Sequence, residues 1–450
     1  MIFEFIRYTQ PGWQFNLMPV GDGPFASCYP SPVDAANASA FSDEKPDEGF
    51  ETASARLGEL GFRLWNKGYL LQSTRQELNS FEAMEAPTLT DEYRFTRKYW
   101  GKGWALYAYL LRIGRLRNIV GETRAFLATR HVRRVNPFAQ CSNPVGYDSY
   151  ESSLVQSTPL VAVIIPTLNR YGYLVDVLHD LEGQDYPNFE VLVVDQSAPY
   201  DPGFYESFRL KLKVIRQEER LLWTARNRAV AATESAFLLF FDDDSRVGPD
   251  WISQHLKCLD YFDAAISAGV SLATAGQKIS ASYGHFRWAD QFDSGNAMVR
   301  RSVFEQTGAF DELFNGQRMG DAEFGIRAYI NGFRSISNPL ASRIHLKVSS
   351  GGLREMGSWD GFRPRRWFAP KPVPSVLYLF RKYYPAALWK NAVLIGIILS
   401  NVPYRYKRYK HMLLLSLFVS ILKSPLLYLQ YRRSLSLARA MAVKDVNRQA

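Results

Sequence analysis

Between residues 161 and 261 the chain alternates short, wholly apolar runs with stretches of helical spacing, and this alternation narrows the choice of fold more than anything else in its 450 residues. Val161-Ala-Val-Ile-Ile165 is rich in β-branched residues and ends at Pro166. An uninterrupted apolar run needs cover on both faces, which predicts a buried parallel strand. Leu174, Val177, Leu178 and Leu181 then recur at helical spacing before Pro187. A second run, Phe189 to Val194, stops at Asp195, and a third follows at Leu212 to Ile215. A helix over Thr224 to Ser235 leads into a fourth run, Ala236 to Phe241, that ends in Asp242-Asp243-Asp244; Pro249 opens a further helix at Trp251 to Tyr261. Strand–helix alternation predicts an α/β domain whose sheet is mostly parallel, with helices on both faces. Ligands of such sheets gather beyond the carboxyl ends of the strands, where Thr167, Asn169, Asp195 and the three aspartates fall.

A single Asp after a strand serves equally well as a turn former or a helix cap. Three adjacent carboxylates are another matter, because their mutual repulsion raises their pKa values. A divalent cation removes that cost. Hard oxygen ligands at the mouth of a nucleotide site suit Mg2+ or Mn2+, which bridges a diphosphate and stabilises the charge that builds as it leaves.

Six stretches in order, VAVIIPTLNR (161–170), FEVLVVDQS (189–197), TARNRA (224–229), FFDDDSRVGPDWI (240–252), SGNAMVRRSVFEQTGAFDE (294–312) and GDAEFGIRAYINGF (320–333), with His345 in IHLKVSSGG, resemble the glycosyltransferase family-two enzymes. The resemblance runs from about residue 158 to 355 and implies a GT-A fold, a Rossmann-like arrangement, and an inverting transfer from a nucleotide sugar. It implies a donor site made of Pro166, Thr167, Asn169, Asp195, Arg226, Asp242, Asp243, Gly295 and Asn296. Thr167, Asn169 and Asp195 would contact the nucleoside, Arg226 the base or phosphate, and Gly295 and Asn296 the loop beneath the donor sugar. It further implies a metal held by Asp242 and Asp244 of a DxD motif with His345, and Asp321 as the base. The partners implied are a nucleotide-sugar donor and a glycan or lipid-linked acceptor, in surface polysaccharide synthesis.

An inverting transfer needs one carboxylate to take the proton of the attacking hydroxyl. Asp321 follows a glycine-bearing loop, Gly316 to Gly320, and opens an amphipathic helix, so by residue type alone it is either that base or a helix cap. The family usually has Glu-Asp where this chain has Gly320-Asp321, which leaves Glu323 as the competing candidate. Arg170 and Gln196 also stand where the family often has acids. His345 reads as a ligand or as an ordinary satisfied histidine. Trp223 reads as core, and Lys347 and Arg354 as phosphate contacts or solvated charges.

Outside this segment the signals differ in kind. With 47% apolar and 22% charged residues the chain is globular, not disordered. Cys28, Cys141 and Cys258 lie far apart and form no CxxC pair, which argues against a disulfide scaffold or a zinc site and fits a reducing compartment. Met1 to Val20 has no basic stretch leading into an apolar core, so no signal peptide is expected. Residues 371–450 hold 14 Lys and Arg against the single acid Asp445, or +13, so the rest of the +10 chain sums to −3. Tyr383 to Tyr404 is apolar apart from Lys390, Met412 to Leu422 is uncharged, and Arg405, Lys407, Arg408 and Lys410 lie between them among Tyr404, Tyr406 and Tyr409. Basic residues and tyrosines at the edge of apolar runs suit an anionic membrane surface and argue against nucleic acid. Neither run is a clean span of about 20 apolar residues. Shallow in-plane helices at the cytoplasmic membrane face are therefore the expectation, ahead of spanning helices or core-packed ones.

The predicted division is a mainly helical N-terminal region (1–135), a linker (136–158), the GT-A domain (159–355) and the basic tail (356–450). Within the N-terminal region, Glu59-Leu-Gly-Phe-Arg63 through Gly68-Tyr69 repeats the spacing of Glu323-Phe-Gly-Ile-Arg327 through Gly332-Phe333. Ala40-Phe41 before Asp43-Glu44 also echoes Ala309-Phe310-Asp311-Glu312. This copy would be catalytically empty, since Leu57 stands where Asp321 would be. Two functions fit: an active glycosyltransferase, or a catalytically inactive nucleotide-sugar-binding scaffold of a polysaccharide synthase.

Overall fold

The structure, a computed structural model, describes residues 2–28, 44–142, 144–348, 360–364, 366–406 and 411–449. The expectations at Ala40-Phe41, Asp43, Gly351-Gly352, Arg354, Lys407, Arg408, Tyr409 and Lys410 lie outside the described residues.

The N-terminal region is helical, as expected, with helices at Ala53–Lys67, Arg75–Glu82, Leu89–Tyr99, Lys102–Gly114 and Ile119–Ala128. Two capping boxes, Thr74 with Glu77 and Thr88 with Asp91, start the second and third of these. A two-residue ribbon joins β1 (Phe25–Ala26) to β2 (Gln72–Ser73).

The centre of the molecule is a nine-stranded sheet built from β3 (Val161–Thr167), β4 (Phe189–Asp195), β5 (Leu212–Arg216), β6 (Phe237–Phe241), β7 (Ser245–Val247), β8 (Ile266–Leu272), β9 (Arg287–Trp288), β10 (Asn296–Arg300) and β11 (Ser335–His345). Their order is β5-β4-β3-β6-β10-β8-β11-β7, with β9 also paired to β11. The four apolar runs read from the sequence are β3 to β6, and they are mutually parallel. The expectation of a mostly parallel sheet needs correction for the other half. β10 is antiparallel to both its neighbours, and β7 and β9 are antiparallel to β11. The sheet is mixed.

Side chains alternate across this sheet, and the alternation sorts the residues around it into two cores, with two smaller clusters among the N-terminal helices. Val161, Val163, Ile165, Val191, Val193, Leu239 and Phe241 face one side, with the helices Tyr171–Glu182 and Trp251–Tyr261. Ala162, Ile164, Leu192, Val194, Leu238 and Phe240 face the other, with the helices Leu222–Ala231 and Gly320–Ile330. The N-terminal region extends the first core through Trp13, Phe15, Phe62 and Trp65, and Trp288 Nε1 donates to the Leu71 carbonyl at 2.6 Å. Residues 136–158, read as a linker, also pack here: Tyr147 is buried against Tyr261 and Phe286. The tail extends the second core, since the helix Pro374–Tyr383 buries Val376, Leu377 and Leu379 beneath the sheet. This helix, part of the predicted membrane tail, is therefore buried within the fold. No helix among the described residues is long and apolar enough to cross a membrane.

The repeated spacing has a geometric counterpart. Arg63 reaches Glu59 with Nε (3.2 Å) and Nη2 (3.4 Å), and Arg327 reaches Glu323 the same way (2.9 and 3.0 Å). A tyrosine hydroxyl caps each acid at 2.5 Å, Tyr99 on Glu59 and Tyr383 on Glu323.

Candidate active site at the strand ends

β6 ends on Phe241, and the chain turns sharply through the three aspartates before β7. Their carboxylates part company. Asp242 accepts from Arg226 Nη2 (3.1 Å) and Arg343 Nη1 (2.8 Å). Enclosure pushes its carboxyl up, but the two guanidiniums outweigh that and hold it well below the usual carboxylate range. Asp243 turns back under β3, where Thr167 Oγ1 donates at 2.9 Å and Arg170 Nη1 at 2.8 Å. It is 4% exposed, and burial pushes its carboxyl up to about 6 against the pull of Arg170. Asp244 is 1% exposed. Burial alone would raise it, yet His345 and Arg170 hold it below its ordinary value in spite of Asp242.

Asp242, Asp244 and His345 converge. One ligand atom from each lies within 4.8 Å of the others. Pairing of β11 with β7 sets His345 opposite Ser245, which brings its Nε2 to 3.3 Å from Asp244 Oδ1. That Oδ1 is buried and makes no well-formed hydrogen bond. A buried anionic oxygen left in this way costs on the order of 1–3 kcal/mol or more unless something satisfies it. The donor set, two carboxylates and an imidazole, fits a divalent ion with oxygen-leaning preferences. These three residues could hold one.

The loop Asp293–Asn296 approaches the aspartates from β10. Gly295 passes so close that a Cβ there would stand 2.2 Å from Asp242 Oδ2 and 2.3 Å from Arg343 Nη1, so any side chain would have to displace that carboxylate and guanidinium. Ser294 ties the loop to two sides. Its carbonyl accepts from Arg226 Nη2 at 2.8 Å, while its backbone N–H (3.1 Å) and its hydroxyl both donate to Asp321 Oδ1. A continuous chain of contacts thus runs from Asp242 through Arg226 and Ser294 to Asp321. Asp321 lies in the first turn of its helix, but the cap position is Met319, and the Asp321 side chain turns to Ser294 instead of the helix amides. Burial raises its carboxyl above the ordinary value; Arg226 opposes this and Asp293 adds to it. Glu323 points away, 1% exposed, into its pair with Arg327 and Tyr383. Gly320 packs against the Trp223 indole, where a Cβ would be 2.3 Å from a ring carbon, which explains why no glutamate occupies that position. Trp223 is core, 4% exposed, its Nε1 donating to the Phe314 carbonyl.

Other residues of the predicted donor site sit behind this surface. Pro166 is buried in β3. Asp195 is fully buried and accepts from the Tyr171 and Tyr205 hydroxyls (2.7 and 2.8 Å) and from the Ser197 amide (2.8 Å). Asn169, exposed and at φ +53°, is fastened by Ser197 Oγ and the Ala198 amide. Asn296 turns inward, where its Oδ1 accepts from Trp251 Nε1 (2.8 Å) and its Nδ2 donates to the Val270 and Ala341 carbonyls. It braces the loop from below. Two site residues escaped the sequence reading. Arg343, 2% exposed, bridges Asp242 and Asp293 (3.0 Å), and its pKa is raised by Asp293 and Asp242 against burial. Its signal was its place two residues before His345 on one strand, which puts both on one face. Asp293 had only its position before Ser294-Gly295.

Residues 162–310 match the family model described as Glycosyl transferase family 2. The O-antigen biosynthesis protein RfbC of Myxococcus xanthus is 26% identical over 287 residues, covering 55% of this chain and 22% of that protein. The poly(ribitol-phosphate) beta-N-acetylglucosaminyltransferase TarS of Staphylococcus aureus is 33% identical over 106 residues, covering 22% of this chain and 18% of that protein. The chain thus spans less than a quarter of the length of either relative. Among solved structures, the mannosyltransferase PcManGT from Pyrobaculum calidifontis, in complex with GDP-Man and Mn2+, is similar at 17% identity with a TM-score of 0.42, covering 67% of this chain and 91% of that one.

Proposed function

We propose that this chain, whose residues 162–310 match the model of glycosyl transferase family 2, transfers a sugar from a nucleotide-sugar donor to a glycan or lipid-linked acceptor with inversion, in the building of a surface polysaccharide. The observation that carries this reading is the contact chain from the Asp242–Asp244–His345 cluster through Arg226 and Ser294 to Asp321. The names of the relatives, O-antigen biosynthesis and poly(ribitol-phosphate) glycosylation, support a polysaccharide acceptor.

In this reading Asp242, Asp244 and His345 hold Mn2+ or Mg2+, which when bound supplies positive charge to a leaving diphosphate. Arg226 and Arg343, fixed by the aspartates, add fixed positive charge at the same place. Asp321 accepts the proton of the acceptor hydroxyl as that oxygen bonds to the anomeric carbon. The bond from the anomeric carbon to the diphosphate oxygen breaks, and the nucleoside diphosphate departs. Both hydrogen bonds from Ser294 fall on Oδ1 of Asp321, leaving Oδ2 for the proton. The raised pKa of Asp321 makes it a stronger base than an ordinary carboxylate.

The test is release of nucleoside diphosphate from a panel of nucleotide sugars with Mn2+ present. Turnover of one or two donors is expected, and it should fall with Asp321→Asn. Tight binding of a donor with no turnover under any acceptor would instead favour the inactive scaffold.

A further inference from the structure

The C-terminal helices carry a surface that water alone does not explain. The helix His411–Leu422 meets the helix Ala386–Leu399 through serines: Ser416, 0% exposed, donates its hydroxyl to the Ile398 carbonyl, and Asn401 Nδ2 donates to Ser420 Oγ at 2.8 Å. Four of its apolar side chains stand away from that contact, Leu417, Phe418, Ile421 and Leu422 being between 45% and 65% exposed. A surface helix in water does the reverse and turns its apolar stripe inward. Small hydroxyl residues between helices with large apolar ones outside is the arrangement found where the surroundings are lipid.

A pair of aromatics from another part of the chain sits beside this helix. Trp367 and Phe368 are each 71% exposed and are held in place, not merely uncovered. Gln430 Nε2 donates to the Trp367 carbonyl at 2.5 Å, Arg433 Nη1 donates to the Phe368 carbonyl at 3.2 Å, and Lys423 Nζ lies 5.3 Å from the centre of the Trp367 ring. The helix that supplies two of these groups, Ser424–Gln449, buries Gln430, Ser434 and Ala438 toward the protein and leaves Arg432, Arg433, Arg439 and Lys444 outward. Aromatics, aliphatics and cations are all among the exposed residues here, and the one acid of residues 371–450, Asp445, is taken up by Lys382 at 3.0 Å.

We propose that this face, Trp367, Phe368, Phe418, Ile421 and Leu422 with the cations around them, is a docking surface for an anionic lipid bilayer. The helices lie in the interface plane. At about 1.5 Å per residue, the twelve-residue helix His411–Leu422 reaches about 18 Å, well short of the roughly 30 Å hydrocarbon core. The apolar side chains enter the acyl boundary, Trp367 marks the headgroup level, and the arginines and Lys423 meet anionic headgroups. The proposal concerns where the protein sits and stands apart from the glycosyl-transfer reading.

Vesicle flotation of the full chain tests it, without any activity readout. The chain should float with phosphatidylglycerol-containing vesicles and much less with pure phosphatidylcholine, and part of the bound fraction should survive high salt, which screens charge but spares apolar insertion. Phe418→Gln with Ile421→Gln, and separately Trp367→Ser with Phe368→Ser, should each weaken partitioning on the order of tenfold or more. All four side chains are exposed, and an unchanged thermal transition confirms that each variant is folded. Two results would overturn the proposal: an intact chain that stays unbound with both vesicle types, or folded variants that float as well as the parent. Should the parent prove dimeric and the variants monomeric with no flotation in either, the face is covered by a second copy and the lipid assignment is wrong.

Discussion

Asp321 and Glu323 share one turn of one helix, yet their surroundings separate them. Asp321 reaches the site loop through Ser294, whereas Glu323 is locked to Arg327 and Tyr383 in the second core. Asp321→Asn should therefore keep near-native affinity for the donor and lose at least roughly a hundredfold in turnover, because a base acts only as the hydroxyl attacks. Since burial raises the Asp321 pKa, the acid limb of turnover should lie above the ordinary carboxylate range near pH 4: the base is lost to protonation as pH falls through the raised value. A pH–rate profile checks this, and an acid limb that persists unchanged in Asp321→Asn would assign it to another group. Glu323→Gln should behave differently, leaving turnover per folded molecule intact while urea unfolding shows a loss of about 3 kcal/mol from the broken buried pair. At this scale the sequence located positions: Asp242 and Asp244 just beyond an apolar strand and Asp321 in the first turn of a helix, which is where the structure has them. It gave only weak positional signals for Arg343 and Asp293, because their partners lie far away in the chain and one residue's type does not name them.

β10 shows what periodicity can and cannot deliver at the scale of elements. Side-chain alternation identifies a strand and its faces, but direction depends on how the chain returns to the sheet, and here β10 runs antiparallel to β6 and β8. The four parallel strands were legible because each is a short, nearly uninterrupted apolar run, two of the three gaps between them holding a helix of readable length; β7, β8, β9 and β11 were not, being short, polar or bulged. Asn296 shows how such strands are joined, since one side chain links the helix Trp251–Tyr261, β8 and β11. Asn296→Ala leaves the Trp251 N–H and two carbonyls unpaired in a dry site, and should cost about 3 kcal/mol or more in urea unfolding. Its neighbour His255 carries a pH signature. Burial lowers the His255 pKa from 6.5 to about 4, so the fold accepts only the neutral ring. That depression leaves stability complete above pH 6.5 and drains it, by up to about 3 kcal/mol, as pH falls from 6.5 toward 4. Thermal melts of His255→Gln should lose that part of the acid dependence. An unaltered dependence would mean that the imidazole is not the group responsible.

For the whole molecule, the division into N-terminal region, linker, catalytic domain and tail understates how the pieces share their interiors. The sequence separates them because composition changes at the boundaries. Burial unites them, since Trp13, Phe15 and Trp65 lie in one core with β3 and β4, and Val376 and Leu377 lie in the other with the helix that bears Asp321. Such contacts join segments far apart in the chain and leave no local pattern to read. The consequence for function is that the site loop rests on both cores. Asn296 is braced on the side of the first, and Asp321 is carried by a helix of the second, so the described residues of the N-terminal region and the tail that join these cores support the geometry of the site. The central claim is that Asp242, Asp244 and His345 make a metal-dependent glycosyl-transfer site, and one measurement addresses it directly: donor turnover of the intact chain in chelator, after Mn2+ or Mg2+ is restored, and in Asp244→Ala under both conditions. Turnover should vanish with chelator, return with the ion, and stay at least roughly a hundredfold down in Asp244→Ala whether or not the ion is present. Full turnover in chelator, or undiminished turnover by Asp244→Ala, would contradict the account.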